Sequence, residues 1–224
     1  MSGIGTVVSA RTASTRLFGK ALLPLDGVPM VEFLLERLKD TRHGGQVIFA
    51  TTRRRDDDAL AAHVAGLGIP VFRGADADVA ARHVEVAREF DLEWIVRVTG
   101  DCPFVDAASL DLCLAQWNAA EATDLISTKG VFPVGIDYEV FSTATLVREW
   151  PRMTEEEKEH LTLRLYRADL DFTVRRFAKP PSWPSTAGKY VVDTPGDYER
   201  AVRLVAELGG RHFSIEDLLR VTDS

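Results

Sequence analysis

Short apolar runs alternate with stretches of helical spacing along most of the chain. Residues 4–8 (IGTVV) form the first run, β-branched and followed by a polar segment, as in a strand buried on both faces. Pro29 stands where a first helical turn begins. Met30, Val31, Leu34, Leu35 and Leu38 follow at helical spacing until Gly44 and Gly45 end the pattern. Residues 47–50 predict a second strand, 57–67 a helix closed by Gly68, and 69–72 a third strand. Residues 79–90 predict a helix with Val79, Ala80, His83, Val84 and Ala87 on one side. A strand over 94–98 and a helix over 109–117 complete the run. Such alternation of strands and helices predicts an α/β fold with a mostly parallel, doubly wound sheet and helices on both faces.

The second half is less regular. Strands are expected over 124–127, 138–141, 172–177 and 190–192, and a helix over 155–167. Pro195 opens a helix whose apolar positions are Tyr198, Ala201, Val202, Val205, Ala206 and Leu208, and Ser214 caps a short helix over 215–219. Residues 179–188, with Pro180, Pro181 and Pro184, read as an ordered surface connection between strands. Trp94, Trp117 and Trp150 are expected in the core. With no internal repeat, one domain over 1–224 is the economical reading.

The chain has 224 residues, 46% hydrophobic and 27% charged, which is ordinary for a globular protein and excludes collagen-like, disordered and coiled-coil classes. Its net charge of −7 argues against non-specific nucleic-acid binding, which needs a basic face. A small anionic ligand held by a local cationic cluster remains compatible with that charge. Two cysteines, Cys102 and Cys113, make a disulfide framework improbable and fit a reducing compartment. Neither a signal peptide nor a membrane-spanning run is read in the sequence, so a cytoplasmic protein without membrane association is expected.

In open α/β sheets, ligands bind beyond the carboxyl ends of the strands. After the first strand comes Arg11-Thr-Ala-Ser14-Thr-Arg16-Leu-Phe-Gly19-Lys20. Its cations, hydroxyls and glycine suit a polyphosphate, although the spacing is not that of a Walker P-loop, and a solvated basic loop is the competing explanation. Asp101, in Thr99-Gly100-Asp101-Cys102-Pro103, follows the fourth strand, and Asp193 precedes the last long helix. Strand-end carboxylates present hard oxygens to Mg²⁺, although an Asx-turn or helix cap is the favoured explanation of Asp101 taken alone and a cap also explains Asp193.

Positions 10–30, ARTASTRLFGKALLPLDGVPM, resemble the N-terminal signature of the sugar-acid cytidylyltransferases, which include the enzymes that make CMP-ketodeoxyoctulosonate and CMP-sialic acid. VFRGADADV at 71–79, VRVTGDCPFVD at 96–106, FPVGIDYEVFS at 132–142, EHLT at 159–162 and VVDTPGDYE at 191–199 are most similar to the spore-coat polysaccharide biosynthesis protein F branch. The resemblance implies a Rossmann-like nucleotidyltransferase fold, transfer of CMP from CTP to a small anionic acceptor with release of pyrophosphate, and commonly a homodimer. It implies that Arg11, Ser14, Arg16 and Lys20 hold the triphosphate, with Ala10, Arg73, Thr99 and Gly100 near the nucleoside. Asp101 and Asp193 would bind Mg²⁺, and Asp137, Glu139 and His160 would face the acceptor. Arg11, Lys20, Asp101 and Asp193 are then the expected catalytic set.

Two positions depart from the family pattern. Phe18 stands where the family has a loop-stiffening proline, and Leu163 stands where proline often follows Glu-His-x-Thr. The acceptor stays open between a sugar acid and a phosphate or phosphonate. A nucleotide-binding module without catalysis, motivated by Phe18, is a second class. A glycosyltransferase is a third, since Asp76-Ala-Asp78 matches Asp-x-Asp in letters, although helix capping explains it. Cys102 lacks an evident activating base, and Arg53-Arg54-Arg55 with Asp56-Asp57-Asp58 read as a solvated loop and an acidic first helical turn.

Overall fold

A computed structural model describes residues 3–117, 122–181, 183 and 188–222. Its strands are β1 Ile4–Ser9, β2 Pro24–Leu25, β3 Val28–Pro29, β4 Gln46–Thr52, β5 Val71–Gly74, β6 Trp94–Thr99, β7 Leu125–Ser127, β8 Glu139–Ser142 and β9 Val174–Arg176. The helices are α1 Met30–Leu38, α2 Asp58–Gly66, α3 Val79–Glu89, α4 Ala107–Leu114, α5 Thr143–Glu149, α6 Glu155–Glu159, α7 Pro195–Glu207 and α8 Ile215–Thr222. Seven strands form one sheet in the order β5-β4-β1-β6-β8-β7-β9. Only β8 runs against the others, antiparallel to both β6 and β7. The mostly parallel sheet expected from the alternating pattern is therefore present.

Successive strand residues feed opposite cores, as a pleated backbone requires. Ile4 and Val8 of β1, Val47 and Phe49 of β4, and Val96 and Val98 of β6 join one cluster with residues of α1, α2, α4, α7 and α8. Val7, Ile48, Ala50 and Ile95 join the other, with α3 and α5. Helices thus cover both faces, and the carboxyl ends of β1, β4, β5 and β6 share one edge.

Four local expectations need correction. The predicted helix over 155–167 is α6 followed by a separate 3-10 turn, Leu163–Tyr166. His160 leaves helical geometry at φ −106° and ψ 63°, and the Thr162 hydroxyl donates to buried Glu139 at 3.1 Å, which redirects the chain. Residues 190–192 form no strand. Instead Tyr190 N–H donates to Val134 O and Val192 N–H to Asp101 O, so the segment crosses from one loop to another. The expected strand over 172–177 shortens to β9. Pro29 lies one residue outside α1, closing the β2–β3 hairpin. That hairpin turns on Asp26-Gly27, both at positive φ (53° and 77°), a pairing favoured in tight hairpins.

Of the expected connection at 179–188, residues 182 and 184–187 lie outside the described residues. Trp94 and Trp117 stack edge to face at 4.5 Å and are partly buried, as is Trp150, whose indole N–H donates to Asp78. Trp183 is buried against Phe132.

Candidate active site

The loop after β1 and the loop after β6 meet at the carboxyl edge of the sheet. Gly100 N–H donates to Ser9 O at 2.8 Å, and a Cβ on Gly100 would lie 2.6 Å from that of Ala10. Glycine is required there because no side chain fits between the two loops. The basic loop then folds back on itself: Gly19, at φ +69°, donates its N–H to Thr12 O. Asp57, buried at the start of α2, anchors the other end by accepting Thr12 N–H at 2.6 Å and the Thr52 hydroxyl. Burial alone would raise the Asp57 pKa, but the donors Thr52 and Thr12 outweigh it and the net shift is downward.

These contacts leave a cleft of about 470 Å³ lined by Ala10, Arg11, Ser14, Arg16, Lys20, Thr99, Gly100, Asp101, His160 and Asp193 among the expected site residues. Ser9, Val79, Arg82, Arg97 and Glu159 also line it. Lys20 is the focus of its polar end. Its Nζ donates to Asp101 Oδ2 at 2.9 Å, Asp193 Oδ1 at 2.8 Å and Val192 O at 3.0 Å. Arg16 holds the other Asp193 oxygen at 2.9 Å. Burial would lower the Lys20 pKa, but Asp101 and Asp193 more than reverse this, and it stands above its ordinary value. The Asp193 carboxyl is shifted down, because Lys20 and Arg16 outweigh the cost of burial.

Asp101 and Asp193 are far apart in sequence, and two local devices bring them together. The Val192 N–H bond to Asp101 O fixes the backbones side by side. The capping box of α7 then leaves Asp193 free to point into the cleft: Thr194, not Asp193, caps the helix, and Asp197 accepts the N–H groups of both Asp193 and Thr194. Likewise α4 is capped by Asp106, not by Asp101. Helix capping therefore does not account for either cleft aspartate. Among the described residues no group of three or more His, Cys, Asp or Glu gathers as a metal cage. Two carboxylates whose oxygens converge on one ammonium fit a divalent cation that takes its remaining ligands from water and phosphate.

Arg11 spans the cleft mouth between Asp76 (3.4 Å) and Glu159 (3.3 Å). Arg82 is buried and donates to Ala75 O and Asp76 O, so it shapes the segment before α3. Ser9 Oγ lies 3.2 Å from His83 Nε2, and His83 Nδ1 lies 2.8 Å from Val79 O. A carbonyl only accepts, so Nδ1 carries the proton and Ser9 donates to Nε2. Burial holds the His83 pKa down at about 3, and the imidazole stays neutral.

Three expected site residues lie off the cleft. Arg73 is committed to Thr52 O, Arg54 O and Asp58, which tie β5 to the start of α2. Asp137 is half-buried and accepts Gly135 N–H at 2.7 Å, and its pKa is raised mainly by burial. Glu139 is buried beneath Arg97 and Lys129 and is ion-paired with both. Phe18 is not packed away: it is 70% exposed at the tip of the basic loop. Asp78 caps α3, as expected of the Asp-x-Asp letters, and Cys102 is buried with its thiol pushed well up by burial. Arg82 and Arg97 were not singled out by sequence reasoning, and Asp57, read there within a solvated loop and acidic first helical turn, is instead buried against Thr12 and Thr52. An arginine inside the otherwise apolar alternation of β6 was the available signal for Arg97.

An α/β sheet with a cationic loop and paired acids at its carboxyl edge defines a nucleotide-binding transferase. The cytidylyltransferase family profile matches residues 6–214, and the chain belongs to that family of CTP-dependent nucleotidyltransferases. Over 217 residues it is 30% identical to the spore coat polysaccharide biosynthesis protein SpsF of Bacillus subtilis, covering 94% of this chain and 90% of that one. A solved cytidylyltransferase from Leptospira borgpetersenii superposes with a TM-score of 0.91 at 28% identity, covering 99% of this chain and 94% of the other. A CMP:2-keto-3-deoxy-manno-octonic acid synthetase complexed with CTP shares the fold at TM-score 0.66 and 22% identity, covering 92% and 100%.

Proposed function

We propose that this protein transfers CMP from CTP to a small anionic acceptor, releasing pyrophosphate, with Mg²⁺ as the divalent cation, in surface-polysaccharide or glycoconjugate synthesis. The observation that carries this reading is the convergence of Asp101 and Asp193 on Lys20 at the mouth of the basic loop. An acceptor oxygen attacks the α-phosphorus in line with the departing pyrophosphate, so the protein's work is chiefly positioning and charge neutralisation. Arg11, Arg16 and Lys20 line the cleft and would meet the leaving group, where negative charge grows. Asp101 and Asp193 would hold the cation, which neutralises phosphate charge when bound. Lys20, which bridges the two carboxylates and lines the cleft, would add its positive charge on the phosphate side.

The site lies in one chain, and the family resemblance adds a homodimer, which light scattering checks. No described helix is long and apolar enough to cross a membrane. The deciding experiment measures pyrophosphate released from CTP with Mg²⁺ against sugar acids, sugar phosphates and phosphonates. Release that requires both CTP and one of these acceptors supports the reading. CTP binding without turnover across the whole set would favour a non-catalytic module.

A further inference from the structure

Arg97, on the wall of the cleft, belongs to a charge arrangement with Glu139 and Lys129. In the sheet register Arg97 of β6 stands opposite Glu139 of β8. The Glu139 carboxylate is saturated. Its Oε1 takes Lys129 Nζ at 2.9 Å and Tyr166 OH at 2.8 Å, and its Oε2 takes Arg97 Nη1 at 2.8 Å and Thr162 Oγ1 at 3.1 Å. With 1% exposure and four donors it has no reach to a substrate. One carboxylate is shared between the charges of Arg97 and Lys129, with Asp137 the other carboxyl in the field of Lys129.

Arg97 is where that charge meets the cleft. Its side chain is 16% exposed and lines the cavity with Ser9, Thr99 and His160. Glu139 is its one partner among the described residues, and its Nε is buried without a hydrogen bond. Five N–H groups in a rigid fork suit a carboxylate or phosphate, and only one is used. Neighbouring His83 is neutral and supplies no compensating acid. Cytosine and ribose are uncharged, and Arg11, Arg16 and Lys20 already surround the polyphosphate end. Val98, Thr99 and Gly100 separate Arg97 from Asp101, a span of at most about 13 Å at ~3.3 Å per residue.

We propose that Arg97 binds the acceptor's own anionic group, a carboxylate or a phosphate beside the attacking oxygen, and that Glu139 is the positioning residue that aims it. This rests on the reading that the loop end holds the triphosphate of CTP. The acceptor would lie with its anion on Arg97 and its nucleophilic oxygen toward the α-phosphorus. The arrangement disfavours uncharged alcohols, because they leave the N–H groups of Arg97 that Glu139 does not take without an anionic acceptor.

Calorimetry on the full chain tests it, with CTP, 3-deoxy-manno-octulosonate and inorganic phosphate as probes. The two acids are titrated with Mg²⁺ and saturating α,β-methylene-CTP, whose non-cleavable bridge ensures that no transfer occurs. Arg97→Met should leave the CTP dissociation constant within about twofold and weaken at least one acid tenfold or more. Arg97→Lys, which keeps the ion pair with Glu139 and therefore the fold, should weaken the same acid severalfold. Methylguanidinium should restore binding to Arg97→Ala. Glu139→Gln should weaken acid but not CTP, and Glu139→Asp should recover part of the loss. The carboxylate and phosphate arms identify which anion Arg97 takes. Equal loss of CTP and acid in Arg97→Met, unchanged acid affinity in both Arg97 variants, or wild-type protein that binds neither acid would each overturn the assignment. A wild-type protein that fails to bind CTP would instead sink the nucleotidyltransferase reading, and the acid titrations still judge Arg97 separately.

Discussion

Lys20 occupies, with its ammonium, the point on which two carboxylates converge, and this sets what substitutions there should do. Lys20→Met leaves Asp101 without its ion pair and Asp193 with Arg16 alone. Its melting temperature should fall, and Mg²⁺ should restore more of that loss in the variant than it adds to the wild type. Turnover should nonetheless drop by roughly 10²–10³, the usual cost of removing a donor aimed at developing charge. Asp101→Ala and Asp193→Ala should each lose metal-supported CTP affinity, read as a collapse of the thermal shift that CTP produces with Mg²⁺. Unchanged shifts in both variants would remove the basis of the site. His83 supplies a pH test. Its pKa is about 3 when folded and about 6.5 in an unfolded chain, so the unfolded state binds the extra proton between those values. Stability is full above pH ~6.5 and declines as pH falls toward 3, with a slope from this group of up to about 1.4 kcal/mol per pH unit. Urea unfolding of His83→Asn should lack that component.

At the scale of elements, the site depends on short anchors. Asp57 holds the backbone of the basic loop at Thr12 and the end of β4 at Thr52. Asp57→Ala should cost about 1–3 kcal/mol, the penalty for orphaning buried donors, and should weaken CTP binding although Asp57 does not line the cleft. The Asp57 carboxyl is shifted down on folding, so its contribution is present above pH ~4 and lost as pH falls through the folded value. Thr194→Ala should cost about 1 kcal/mol by opening the α7 capping box. It should also misplace Asp193, a second loss visible as weaker metal-supported binding. Local patterning foretold much at this scale, including the strands β1, β4 and β6, the helices α1, α3 and α7, and caps at Asp78 and Ser214. It failed where a tertiary partner decides: His160 and Thr162 break the expected long helix because Thr162 reaches a glutamate from another strand. Residues 190–192 have the letters of a strand, yet their amides go to single carbonyls in separate loops.

At the scale of the whole molecule, ligand and metal should act as one stabilising unit. CTP at 100 times its dissociation constant adds about 2.7 kcal/mol to unfolding, and this should appear only when a divalent cation is present. A nucleotide panel by thermal shift checks the base, and chelation with EDTA should abolish the shift. The alternation of apolar runs was enough to specify a mostly parallel sheet, and therefore the edge where a ligand binds, because strand and helix periods are local properties of the chain. The cationic loop and the strand-end acids were likewise legible as chemical types in a fixed order. Their meeting was not, because the Val192–Asp101 bond and the convergence on Lys20 join residues distant in sequence. The same holds for Glu139, whose letters suit a substrate ligand until the pairing of β8 with β6 surrounds it with four donors and leaves Arg97 as the group that faces the cleft. Residue type and local period are written along the chain, whereas burial and the choice of ion-pair partner exist only once distant segments have packed.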